Sequence, residues 1–181
     1  MTKEEKQAVL QKIRCFVLDM DGTIYLGDQL FPYTPAFLQA VENSGREYCY
    51  FTNNSSKNAD AYLEKLHKMG IPVTPEKMLI SNGVIIDWLN RCQPGKSVYL
   101  VGTPLLEEAF RLGGISLTDQ NPDLVVLGFD TTLTYEKLEK ACRFVREGKP
   151  FYGVNPDFNC PVENGFIPDC GSMAALIHAS T

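Results

Sequence analysis

Cys15-Phe16-Val17-Leu18-Asp19-Met20-Asp21-Gly22-Thr23 opens the reading of this chain. Four apolar residues run without interruption and stop at an acid, as a strand buried on both faces of a parallel sheet does. Upstream, Thr2-x-x-Glu5 is a capping box, and Val9 with Ile13 predicts a helix over 2–14. Downstream, Thr34-Pro35 supplies an N-cap and a first-turn proline. Phe37, Ala40 and Val41 then share a helix face, and Gly45 stops the helix. Tyr48-Cys49-Tyr50-Phe51 is a second strand ending at Thr52. A helix follows over 57–69, with Tyr62, Leu66 and Met69 on one side, and Met78-Leu79-Ile80 is a third strand.

The alternation then repeats. Ile85, Trp88, Leu89 and Cys92 mark a helix, 97–101 a strand, Thr103-Pro104 a helix start and 124–127 a strand. Leu138, Ala141, Cys142 and Val145 mark the next helix, 151–153 a strand, 155–168 a loop, and Ala174 to His178 a last helix. Strands alternating with helices predict an α/β fold with largely parallel sheets. Ser81-Asn82-Gly83 is the place to cut between the two series, giving units 1–80 and 81–181.

Composition narrows the function. Of 181 residues, 17 are Lys or Arg and 22 are Asp or Glu, a net charge of −5, and no basic block stands out. Nucleic acid and anionic membrane are therefore not the expected partners. The polar start is no secretory signal, and no run reaches the roughly 18 apolar residues of a membrane span. The six cysteines form no C-x-x-C pair and read as buried thiols, which points to the cytoplasm. With two histidines and no G-x-S-x-G, a serine-hydrolase triad has little to build on; the glycine signatures of dinucleotide and Walker-type sites are also absent.

The chemistry gathers at two strand ends, because ligands of open α/β sheets bind beyond the carboxyl ends of the strands. Asp19-Met20-Asp21-Gly22-Thr23 follows the first strand and Thr52-Asn53-Asn54-Ser55-Ser56 the second. If these strands are neighbours, both clusters face one crevice. Two acids at i, i+2 can point the same way, and a hard divalent ion such as Mg²⁺ relieves their repulsion. Gly22 lets the backbone bare its amides to an anion, and the Thr52 hydroxyl offers a hydrogen bond to phosphate. The same residues also serve as turn formers and helix caps, so the two clusters are informative together rather than singly.

Asp19-Met20-Asp21-Gly22-Thr23-Ile24-Tyr25 followed by Phe51-Thr52-Asn53-Asn54-Ser55 resembles the haloacid dehalogenase superfamily, and within it the subfamily IIA phosphatases of the NagD and p-nitrophenylphosphatase-like group. Asp123 to Asp130 with Leu133 to Leu138, then Val154-Asn155-Pro156-Asp157 and Pro168 to Ser172, are similar to that group's C2-type cap. The resemblance implies a partial Rossmann-like core at 1–80 and an α/β cap at 81–181. It implies an Mg²⁺-dependent phosphomonoesterase acting on a small phosphorylated metabolite. Asp19 would be the nucleophile that forms an aspartyl-phosphate, and Asp21 the general acid and base. Thr52 and Asn53 would bind the phosphate, and Asp19 and the Asp21 carbonyl would hold Mg²⁺. Phe158 to Phe166 would be a substrate-facing loop, and caps of this kind often make homo-oligomer contacts.

The family pattern also has a lysine, usually in Gly-Lys-Pro, and a Gly-Asp-x-x-x-x-Asp segment after the cap. Gly148-Lys149-Pro150 lies inside the cap region and reads as a helix stop instead. Asp169 stands where a glycine is usual, and Tyr33-Thr34-Pro35 where a glycine-containing turn is usual. The expectation is a piece of a longer phosphatase, with the 15–18 strand left as an apolar edge. The competing expectations are an inactive natural truncation, a strand recovered by dimerisation, and a non-catalytic phosphate- or partner-binding remnant.

Overall fold

The computed structural model describes residues 1–181. In chain order the first elements are α1 (Lys3–Lys12), β1 (Cys15–Asp19), β2 (Tyr25–Leu26), β3 (Gln29–Leu30), α2 (Thr34–Asn43), β4 (Glu47–Thr52), α3 (Ala59–Lys68) and β5 (Met78–Ile80). They are followed by α4 (Ser81–Cys92), β6 (Ser97–Val101), α5 (Pro104–Leu112), β7 (Ser116–Leu117), β8 (Leu124–Leu127), α6 (Tyr135–Arg146), β9 (Phe151–Gly153), β10 (Asn159–Val162), β11 (Gly165–Pro168) and α7 (Cys170–Ala179). The fold is α/β with two parallel sheets, ordered β1-β4-β5 and β7-β6-β8-β9, as the alternating pattern predicts.

The sheets divide at the junction of β5 and α4. Met20, Tyr25, Tyr50, Tyr62, Leu66 and Ile80 belong to one core under the first sheet. In the second sheet, side chains of β6 and β8 alternate between two cores. Val101 and Leu127 face α6 and α7; Val98, Leu100 and Val126 face α4 and α5. Burial on both faces explains the unbroken apolar runs 98–101 and 124–127.

The same reasoning does not hold for β1. It pairs with β4 alone, and its side chains alternate between exposed and half-buried, with Val17 65% exposed. It is an edge strand, and the sheet face carrying Val17 and Leu79 is uncovered. Other expectations shift by small amounts. In α2 it is Leu38, not Phe37 or Ala40, that packs inward beside Val41. The capping box of α1 forms with both bonds in place, yet the helix buries no residue, so local capping rather than packing defines it. At the cut between the two series, Ser81-Asn82-Gly83 is helical. Ser81 and Asn82 are buried in the first turn of α4 and bond to the Asn53 and Lys57 carbonyls at 2.8 Å each.

The segment 155–168 is also not a plain loop. It contains the antiparallel hairpin β10–β11, with Pro161 opposite Phe166. Gly148 has φ +83° just after α6, and Lys149 donates to Asn121 Oδ1 at 2.9 Å, so Gly148-Lys149-Pro150 is the expected helix stop. No helix is long and apolar enough to cross a membrane.

Candidate active site

β1 and β4 are adjacent and parallel, with Asp19 in register with Phe51. The acidic segment after β1 and the polar segment after β4 therefore open at the same sheet end. Asp19 is exposed at the tip of β1, and its Oδ2 accepts a 2.6 Å hydrogen bond from the Thr23 hydroxyl. Gly22 makes the intervening turn possible. Its φ is +82°, where an L side chain is strained, and its amide donates to the Tyr25 carbonyl at 2.7 Å.

Asp21 turns inward. Its Oδ2 accepts from the Tyr25 hydroxyl at 3.2 Å, and Oδ1 lies 3.9 Å from the Lys65 ammonium. Burial holds its carboxyl above the ordinary carboxylate range. The Lys65 charge and the Tyr25 hydrogen bond oppose that rise, and the Asp19 charge adds to it. Two acids two residues apart thus sit in different environments, one solvated and one partly desolvated. This is the condition under which they take different roles.

Thr52 is buried at the end of β4, and its hydroxyl accepts from the Asn54 amide at 3.2 Å. Asn53 is drawn toward the second half of the chain. Its side-chain amide bonds the Asp157 carboxylate, and its carbonyl accepts from Ser81 Oγ at 2.8 Å and Asn155 Nδ2 at 3.0 Å. The next residues continue the seam. Ser55 Oγ accepts from the Phe129 amide, and the Ser56 carbonyl accepts from the Thr103 hydroxyl, each at 2.8 Å. Phe129 and Thr103 follow β8 and β6, so the carboxyl ends of the second sheet grip the segment that follows Thr52.

Sequence reasoning missed Tyr25 and Lys65 as partners of Asp21, and Asn155, Asp157, Phe129 and Thr103 as partners of 53–56. Tyr25 lay in the quoted motif and Asn155 and Asp157 in the quoted 154–157 segment. Lys65 carries no local signal that separates it from a surface lysine on a helix.

The β10–β11 hairpin roofs the site. Pro161 lies against Gly22, where an added Cβ would be 3.6 Å from its ring, and Glu163 packs over Gly27. Cys160 belongs to this roof, in β10, and Asn54 Nδ2 approaches its sulfur at 3.9 Å. Burial, with the charges of Asp169 and Asp21, pushes its thiol up to about 11. Cys142 and Cys170 are also buried, whereas Cys15 and Cys92 are exposed, so the expectation of buried thiols holds for three of the six. At pH 8 roughly one Cys160 in a thousand is thiolate on that value. Iodoacetamide followed by mass spectrometry is therefore expected to label Cys15 and Cys92 well before Cys160. Equally fast labelling of Cys160 would mean that the hairpin does not seat as described.

The oxygen donors at the site suit a hard cation. The exposed Asp19 carboxylate is a donor of that kind. No group of three or more His, Cys, Asp or Glu side chains converges to complete a site.

The sequence and the fold both match those of known proteins. A family model described as haloacid dehalogenase-like hydrolase matches residues 16–116. An acid sugar phosphatase of Staphylococcus aureus (strain MRSA252) is 34% identical over 173 residues, covering 95% of this chain and 67% of the relative. A solved 4-nitrophenylphosphatase from Thermotoga maritima superposes with a TM-score of 0.91 at 43% identity, over 96% of this chain and 66% of that one. A glycerol phosphate phosphatase from Mycobacterium tuberculosis, solved in complex with calcium, gives 0.83 at 28% identity, over 96% of this chain and 52% of that one. The chain thus spans about two thirds of the first two relatives' length and about half of the third's.

Proposed function

The chain belongs to the haloacid dehalogenase-like hydrolase family, on its NagD and p-nitrophenylphosphatase side, and from that membership and the site geometry we propose that it carries the nucleophile half of an Mg²⁺-dependent phosphomonoesterase. The carrying observation is the adjacency of β1 and β4, which sets Asp19, Asp21 and Thr52 at one sheet end.

In this reading an Asp19 carboxylate oxygen attacks phosphorus and forms an acyl phosphate while the ester oxygen departs. Asp21, whose carboxyl burial holds above the ordinary carboxylate range, gives its proton to that oxygen. The Asp21 carboxylate then takes a proton from water. The resulting hydroxide attacks phosphorus, phosphate is released, and the Asp19 carboxylate is restored. Thr52 and Asn53 orient the phosphoryl oxygens. Mg²⁺, when bound by the Asp19 carboxylate and the Asp21 carbonyl, supplies neutralising charge. Residues 1–80 form part of the catalytic core and 81–181 the cap, whose hairpin overhangs the Gly22 turn beside the site. The substrate is a small phosphorylated metabolite.

The proposal expects phosphate release from p-nitrophenyl phosphate in Mg²⁺ and its loss on chelation with EDTA. Turnover that persists undiminished in EDTA would overturn the metal dependence. The two-donor set favours a second reading, in which the site binds phosphate without cleaving it. Phosphate binding by calorimetry with no turnover in Mg²⁺ would select that reading.

A further inference from the structure

Asp169 stands where the family pattern usually has a glycine, and it is a buried acid at the N-cap of α7. Its Oδ1 makes two bonds. It accepts from the Cys170 amide, which caps the helix, and from Asn155 Nδ2 at 3.3 Å. Asn155 is buried as well, and its side-chain amide is committed on every side. Its Oδ1 accepts from the Asp157 amide at 2.9 Å, and its Nδ2 donates to the Asn53 carbonyl at 3.0 Å besides donating to Asp169. Capping alone does not call for an acid here, since serine and asparagine cap as well as aspartate. A buried carboxylate is costly unless it is hydrogen-bonded, and the bond to Asn155 is the one that capping leaves unexplained.

A primary amide fits nearly the same space when turned end for end, so its partners decide which way it faces. Turned over, Asn155 would set its oxygen against the Asn53 carbonyl oxygen. The Asp157 amide demands an acceptor on one side of Asn155, and Asp169 Oδ1 demands a donor on the other. We propose that Asp169 is a positioning residue for the strand end that carries Thr52 and Asn53: by accepting from Asn155 it keeps that amide turned toward the Asn53 carbonyl and so fixes the backbone beside Thr52. This inference rests on the phosphate role proposed for Thr52 and Asn53, and adds a residue remote from the ligand on which that role depends. A glycine at 169 would have no side chain to offer Asn155, so the device belongs to this chain rather than to the family pattern.

Two neutral variants separate the bond from the charge. Asp169→Asn keeps an oxygen at the position of Oδ1 and keeps the cap. Asp169→Ser keeps a cap of equal rank, but its hydroxyl is one bond shorter and is drawn back from Asn155. Amide hydrogen exchange of the ligand-free 181-residue chain gives the first readout. Residues 53–56 are expected to exchange about fivefold faster in Asp169→Ser than in Asp169→Asn, the scale of one hydrogen bond, while α7 exchanges alike in both. Calorimetric titration with inorganic phosphate in Mg²⁺ gives the second, and the affinity of Asp169→Ser is expected to be lower by the same factor. Equal exchange at 53–56, or faster exchange that spreads through α7 as a lost cap would cause, overturns the positioning role. Faster exchange at 53–56 with equal phosphate affinities, in a chain that does bind phosphate, overturns it too. The expected exchange pattern in a wild type that binds no phosphate upholds the hold of Asp169 on Asn53 and overturns the phosphate reading of that strand end instead.

Discussion

Asp19→Asn is expected to reduce p-nitrophenyl phosphate turnover by about four orders of magnitude or more, the scale on which loss of a covalent nucleophile is felt. The substitution is nearly isosteric. Asp19 is exposed at the tip of β1, and the Thr23 hydroxyl that donates to it at 2.6 Å keeps an acceptor in the Asn carbonyl oxygen. Folding should therefore be preserved, and the melting temperature serves as the internal control. An amide oxygen is too weak a nucleophile to form the acyl phosphate, so the loss should lie in kcat. A variant whose kcat stays within tenfold of the parent would remove Asp19 from the nucleophile role.

Gly171→Ala should cause the largest loss of stability from the smallest change in side chain. Gly171 lies in the first turn of α7 and donates its amide to the Asp157 carbonyl at 2.7 Å. An added Cβ would stand 2.7 Å from that same carbonyl oxygen and collide with the carbonyl of Pro156. Both obstacles are main chain and cannot rotate aside. Relief requires the 155–157 turn to move, which pulls Asp157 and Asn155 off Asn53. Overpacking of this kind costs about 3 kcal/mol, or roughly 6–12 °C for a chain of this size. Turnover should fall with it, because Asn53 loses its anchor. Gly83→Ala, in α4 with open space around the new methyl, is the control and should leave the melting temperature unchanged or slightly higher. Equal melting temperatures for the two variants would show that the turn yields at little cost.

The strands that were legible in the sequence are those whose apolar runs are long enough to declare themselves. β6 and β8 are buried on both faces and read that way. β1 reads the same but is not buried, because a continuous apolar run records what a strand is built to face and not whether anything covers it. The β10–β11 hairpin was illegible for a different reason. Asn159, Pro161 and Gly165 interrupt its alternation, and a proline inside a short strand reads as a break. At the site, Asp19, Asp21, Thr52 and Asn53 could be placed because each follows a recognisable strand. Lys65 could not, since its approach to Asp21 depends on where the tertiary fold sets α3. Ser55 and Ser56 read as loop polarity, and their function as the grip points of β8 and β6 appears only when the two sheets meet.

That grip has a consequence for how the site responds to its ligand. Phe129 and Thr103 donate to Ser55 and Ser56, Asn155 donates to the Asn53 carbonyl, and the Asn53 side-chain amide donates to Asp157, all immediately beyond Thr52. On the proposed reading of residues 81–181 as a cap, it cannot swing away without pulling on the strand end that the same reading gives to phosphate. In that reading cap position and phosphate affinity are two readings of one equilibrium, and by linkage each would shift the other by the same free energy. Phosphate would act as a latch as well as a product, and its departure would loosen the hairpin that overhangs it.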